Sequence, residues 1–147
     1  MASVVAYTGL APQIVEIQEN DSASANDWYA GDLVKADGDG ELVIATTNVI
    51  LGIALKAATG TDNTEIPVQL INPNEIYVMK YATTTAETEI GDSRGITFTA
   101  GAHVVATDSG TPGALDVYVV GLHPDDAVGT DGGRLLVRFE GNVLEGV

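Results

Sequence analysis

Asp32-Leu33-Val34-Lys35-Ala36, Asp37-Gly38-Asp39-Gly40, Glu41-Leu42-Val43-Ile44-Ala45 is the stretch that decides the fold class. Two short apolar runs flank a turn made of glycine and aspartate, the grammar of a β-hairpin. Just beyond it, Val49-Ile50-Leu51-Gly52-Ile53-Ala54-Leu55 is almost continuously apolar, which predicts a strand buried on both faces. Gly60-Thr61-Asp62-Asn63 then turns the chain into Glu65-Ile66-Pro67-Val68-Gln69-Leu70-Ile71. Pro67 has no N–H to give to a ladder, so this strand is expected at a sheet edge or a bulge. Asn72-Pro73-Asn74 turns again into Glu75-Ile76-Tyr77-Val78-Met79-Lys80-Tyr81.

The polar stretch Thr83–Glu89 reads as a join between two lobes, because the second half echoes the first. Gly91-Asp92 matches Gly31-Asp32, and Ile96-Thr97-Phe98 with His103-Val104-Val105-Ala106 gives a further strand pair around Ala100-Gly101. Leu115–Leu122 parallels Val49–Leu55, and Arg134–Phe139 parallels Ile66–Ile71. Two degenerate copies of one β unit account for the echo, and so does a chance match of short strands. The predicted division is an N-terminal arm and polar link over 1–29 and a β domain over 30–147, with lobes at 30–88 and 89–147. In the arm, Val4, Val5, Tyr7, Leu10, Ile14 and Ile17 are apolar, while Gln18–Asp27 is polar. Two readings stay open for it: an exposed arm that orders against a partner and whose removal leaves the domain folded, or a first edge strand followed by a long loop.

Composition supports the same class. Val, Ile and Thr supply 42 residues against 31 for Leu, Met, Gln, Glu, Lys and Arg together, and branched Cβ atoms suit pleated sheets. No window shows a sustained 3.6-residue apolar period, so the fold is expected to be all-β. Twenty-one acidic residues against six basic ones leave a net charge of −15, which excludes nucleic-acid phosphates as a natural partner. The absence of cysteine rules out a disulfide scaffold, a thiolate zinc site and a Cys nucleophile. The N-terminus has no basic n-region, and no apolar run approaches the roughly 18 residues of a transmembrane helix. A soluble product of a cytosol-like setting is expected, with no membrane partner.

No pattern of chemistry stands out. Asp37, Asp39 and Glu41 occupy positions 1, 3 and 5 of a calcium loop, but Leu42 stands where the sharp turn needs Gly and Asn48 where a bidentate Glu is needed. Met79-Lys80 is like the pair that carries biotin in biotinyl carrier domains, yet no turn dipeptide presents Lys80 at a hairpin tip. His103 and His123 lie too far apart in sequence to share a metal through an H-x-H spacing. There is no Gly-x-Ser-x-Gly, and beyond residue 24 the only serines are Ser93 and Ser109. No enzyme, no metal and no cofactor is expected.

Tyr29-Ala30-Gly31-Asp32-Leu33-Val34-Lys35, Glu41–Ala45 and Ile50-Leu51-Gly52-Ile53-Ala54-Leu55 together resemble the capsid decoration, or cement, proteins of tailed bacteriophages. Leu115–Leu122 and Arg134–Phe139 fit the same style, so the resemblance covers about residues 29–147. It implies a small β-barrel or β-tulip-like domain with an extended N-terminal arm that binds the outer surface of the capsid and stabilises the shell. The implied partners are the major capsid protein and further copies of this chain, as a homotrimer. The implied location is the virion exterior, after synthesis in the host cytoplasm. The arm residues Val4, Val5, Tyr7, Leu10, Ile14 and Ile17 are then the candidate contacts with capsid or subunit. A sugar- or receptor-binding β module displayed on a particle is the alternative, with Trp28, Tyr29, Tyr77, Tyr81 and Tyr118 as the aromatics able to stack on a sugar. A biotinyl-type carrier built on Lys80 is a further alternative.

Overall fold

A computed structural model describes residues 4–7, 11–20, 28–45, 50–61, 64–107 and 117–140. The chain is all-β. Its strands are β1 (Val4–Ala6), β2 (Ile14–Gln18), β3 (Leu33–Ala36), β4 (Leu42–Ile44), β5 (Gly52–Ala54), β6 (Glu65–Leu70) and β7 (Tyr77–Lys80). They continue as β8 (Ser93–Arg94), β9 (Ile96–Thr97), β10 (Val104–Val105), β11 (Val117–Leu122) and β12 (Arg134–Phe139). The predicted hairpin is β3–β4, with Val34 opposite Ile44 and Ala36 opposite Leu42. Its turn is closed by Asp37, whose Oδ1 accepts the N–H groups of Asp39 and Glu41, while Gly40 takes φ +83°.

Two five-stranded antiparallel sheets form, in the orders β2-β6-β5-β3-β4 and β1-β7-β12-β11-β8, with β9–β10 as a separate hairpin. No closed strand ladder of the expected barrel forms among the described residues, but the two ends of the first sheet meet: Glu19, just past β2, bridges Leu42 of β4 in parallel, and the Asn20 N–H bonds the Leu42 carbonyl. Strand β5 is buried on both faces, as the Val49–Leu55 run predicts. Leu33 and Ile53 point into the core shared with the second sheet, where they join Tyr77, Met79, Val119, Leu135 and Val137. Their neighbours Val34 and Ala54 point the other way, under Trp28 with Leu42, Ile66 and Val68. Val49 itself lies outside the described residues.

Pro67 sits in an interior strand, not at an edge. The Leu70 N–H bonds Gln13 C=O and the Glu19 N–H bonds Thr64 C=O, so the hydrogen-bonded pairs of β2 and β6 fall on odd-numbered β2 residues. Pro67 lies opposite Glu16, between those pairs, and its nitrogen points towards β5 instead. There the strand has already ended at Ala54, and Leu55 only donates its N–H to Pro67 C=O. The missing donor therefore costs the sheet nothing.

The sequence echo is a geometric repeat. Gly31 and Gly91 both take φ near +90°, and each donates its N–H across the sheet, to Ala54 and Val119 respectively. In return Ala54 and Val119 donate to Asp32 and Asp92. Ser93–Arg94 pair with Tyr118–Val117 as Leu33–Val34 pair with Ile53–Gly52. Val119 faces Val137 as Ala54 faces Val68, and Val137 faces Tyr77 as Val68 faces Val15. The repeats are thus β2–β6 and β7–β12, with β7 equivalent to β2. The division between the sheets falls between Leu70 and Tyr77, earlier than the polar stretch at 83–89, because β7 opens the second unit. Equivalent side chains are buried in equivalent places: Ile17, Ala54, Ile66 and Val68 lie under Trp28, and Met79, Val119, Leu135 and Val137 against the first sheet.

Candidate functional site: the N-terminal strap

The described parts of the N-terminal segment include a strand in each sheet. Residues Val4–Ala6 pair with Met79–Tyr77 of β7, and Ile14–Gln18 pair with Gln69–Glu65 of β6. Val4 is buried in the shared core, and its N–H bonds the Gly31 carbonyl. Tyr7 donates its N–H to Ile76 C=O and sets its ring edge-on to His123, 5.8 Å between centroids. Ahead of β2, Ala11, Pro12 and Gln13 line a cavity of about 240 Å³ together with Leu70, Ile71 and Tyr77, among others. Beyond β2 the strap is latched by Glu19, which is fully buried. One oxygen of that carboxylate accepts the N–H groups of Thr59 and Gly60, both at 2.8 Å, and the other accepts the Thr59 hydroxyl at 2.6 Å.

Between these anchors the strap shows apolar side chains to solvent. Val5 is 48% exposed, Tyr7 45%, Ile14 52% and Val15 36%. They are half of the large exposed apolar residues among those described, gathered within one short segment. Single exposed apolar residues need no explanation, but four along one short stretch of chain, two at β1 and two at the start of β2, are candidates for an interaction surface. The six sequence candidates therefore divide. Val5, Tyr7 and Ile14 face out, Val4 is core, and Ile17 is half-buried against the cluster under Trp28. Leu10 lies outside the described residues. Val15, which is not among the sequence candidates, is exposed as well, because at this end of β2 neither face is covered. Of the exposed apolar residues elsewhere, Tyr29 packs over Gly101, where an added Cβ would meet the ring at 3.1 Å.

The remaining chemistry-bearing residues have structural employment. Trp28, Tyr77 and Tyr81 are buried and cannot stack on a sugar; the Trp28 indole donates to Lys56 C=O at 3.0 Å. Arg138 lies over the Tyr118 ring, 5.8 Å from its centroid. Lys80 is in a paired strand opposite Arg134 and not at a hairpin tip. Burial works to raise the Asp37 carboxyl pKa, but hydrogen bonds from Glu41, Asp39, Asn20 and Gly40 outweigh it and hold it below the usual range. That carboxylate closes a turn. The Asp126 carboxylate is held well below its ordinary range by a two-pronged hydrogen bond from Arg134. Among the described residues no three His, Asp or Glu side chains converge as a metal site.

His103 is the least obvious of these residues from sequence. It is buried, and its Nδ1 accepts the Leu33 N–H at 3.1 Å, so the ring proton sits on Nε2. Burial pushes its pKa down, against the opposing pull of the Asp32 carboxylate. Asp32 in turn accepts the N–H groups of Tyr29 at 3.0 Å and Gly101 at 2.7 Å. Asp32 and His103 together fasten the β9–β10 hairpin onto the start of β3. No sequence spacing announces a link between residues 32 and 103.

This geometry is of a bound, partly apolar strap on a rigid β frame, with no assembled catalytic group among the described residues. No protein-family model matches the chain, and no curated protein matches it.

Proposed function

We propose that this chain is a structural virion protein that binds the outside of a tailed-bacteriophage capsid and stabilises the shell, as a homotrimer in contact with the major capsid protein. The observation that carries this reading is the gathering of exposed Val5, Tyr7, Ile14 and Val15 on one strap anchored at both ends. A standard protein interface buries about 800 Å² per partner, and repeated contacts over a shell add through multivalency. A strap already held by Val4 and Glu19 loses little further backbone entropy on docking, where a free arm would lose about 1–2 kcal/mol per residue. The net charge of −15 keeps unbound copies apart in the host cytoplasm before assembly. Burial of Trp28, Tyr77 and Tyr81 weighs against the sugar-binding alternative.

The test adds the purified chain to shells assembled from the major capsid protein of the same genome and images them by electron cryomicroscopy. Density for the chain at regular outer positions supports the reading; bare shells at saturating protein reject it.

A further inference from the structure

The two repeats differ at one edge. In the second unit the outer side of β7 is covered by β1, with Val5 opposite Val78 and the Tyr7 N–H bonded to Ile76 C=O. In the first unit the equivalent strand is β2, and among the described residues its outer side is met only past its C-terminal end, where Glu19 bridges Leu42 of β4 as Tyr81 past β7 bridges Val105; alongside Ile14–Gln18 no strand takes the place of β1. Odd-numbered residues of β2 bond β6, so the N–H and C=O groups of Ile14, Glu16 and Gln18 point outward, as those of Ile76, Val78 and Lys80 do in β7. The repeat thus supplies both the direction and the register of a missing strand. Running antiparallel to β2, it would place the counterpart of Val4 beside Ile17, of Val5 beside Glu16, and of Ala6 beside Val15.

Charge identifies the occupant. Glu16 and Glu65 lie on the same face at this edge, Glu16 opposite Pro67 and Glu65 opposite Gln18, and both are exposed. A second copy of a chain with net charge −15 would bring its own negative charge to an acidic edge, and the segment Val4-Val5-Ala6 has no cation to offset it. We propose that the open edge of β2 is a strand-docking site for an extended segment of a partner protein that sets a Lys or Arg beside Glu16, between small apolar residues beside Val15 and Ile17. The site rests on the repeat geometry alone; taking the partner to be the capsid shell rests on the function proposed above. Main-chain hydrogen bonds would supply the register and the Glu16 contact the selectivity.

The test needs no capsid. Synthetic peptides with the sequence of residues 2–8 are made with Lys or with Glu in place of Val5, and each is titrated onto the full chain while amide hydrogen exchange is followed by NMR. The Lys peptide should slow exchange at Ile14, Glu16 and Gln18 and leave Val15 and Ile17, already bonded to β6, unchanged. It should bind at least tenfold more tightly than the Glu peptide, and Glu16→Lys in the chain should reverse that order. A Glu16→Pro chain, which removes one outward donor at a position not bonded to β6, should lose the protection while keeping its melting temperature within a few degrees. No protection by either peptide at millimolar concentration would overturn the proposal. So would a peptide preference indifferent to the Glu16 charge, or protection changes confined to β7, which would mean displacement of β1. Capsid binding without peptide protection would remove this inference and leave the proposed function standing; the reverse result would do the opposite.

Discussion

Replacing Glu19 tests whether the strap is truly locked to the sheet at its far end. Its carboxylate accepts three hydrogen bonds from Thr59 and Gly60 in a fully buried position. Hydrogen bonds to a charged group are worth roughly 1.5–3 kcal/mol each, but the Thr59 and Gly60 donors lie in an exposed loop, where water replaces much of what is lost. Glu19→Ala should therefore cost about 2–4 kcal/mol, below the simple sum. Glu19→Gln keeps the oxygen that takes both N–H groups, and its new NH₂ can donate to the Thr59 hydroxyl once that rotor turns. Its cost should be about 1 kcal/mol, the lost charge assistance. At roughly 2–4 °C per kcal/mol for a chain of this size, the two variants should melt about 5–15 °C and 2–4 °C below the parent at pH 7. Circular dichroism melting reads both. Equal losses for Gln and Ala, or no loss for Ala, would refute the latch.

Three further outcomes follow from the packing and the titratable groups. Gly52→Ala would place a Cβ 2.2 Å from the Gln69 carbonyl oxygen, backbone that cannot step aside; urea denaturation should show a loss at or above the roughly 1–3 kcal/mol of ordinary overpacking, and a loss under 1 kcal/mol would mean the β5–β6 spacing is wrong. Because the folded-state pKa of His103 lies below its usual 6.5, the unfolded chain takes up that proton first; its stabilisation is complete above about pH 6.5 and falls as pH drops below it, at up to about 1.4 kcal/mol per pH unit, until the folded group titrates. Melting temperatures between pH 7.5 and 5 should show this slope, and His103→Gln should flatten it. Deleting residues 2–17 removes the buried Val4 side chain, worth about 1.5–3 kcal/mol, together with two strand pairings; the melting temperature should drop by several degrees or more, where a dispensable arm would leave it unchanged.

Much of the frame was legible in local sequence. The Asp37–Gly40 turn between two apolar runs specified its hairpin, and the unbroken Val49–Leu55 run announced burial on both faces because no polar residue interrupts it. The Gly31-Asp32 and Gly91-Asp92 echo survives as matching cross-sheet hydrogen bonds, since each glycine adopts a φ that other residues resist. What could not be read depends on partners distant in sequence. Pro67 is tolerated inside a sheet only because β5 stops short of it, and β7 opens the second unit because it pairs with β12, more than fifty residues on. The strap's pattern fitted a free arm and an edge strand equally; the core position that takes Val4 and the loop that clasps Glu19 decided its place. The Asp32–Gly101 and Leu33–His103 bonds are likewise invisible to any local pattern.

The central claim is that the exposed strap is the face by which this chain holds a capsid. Val5→Asp and Ile14→Asp alter exposed side chains, so the double variant should stay folded, with each change worth within about 0.5 kcal/mol of stability. Co-sedimentation with shells of the cognate major capsid protein, at matched salt, measures the consequence. The account expects the parent chain to saturate the shells and the double variant to bind at least tenfold more weakly, a difference of at least about 1.4 kcal/mol in all. Equal binding by parent and variant, or no binding by the parent, would contradict it.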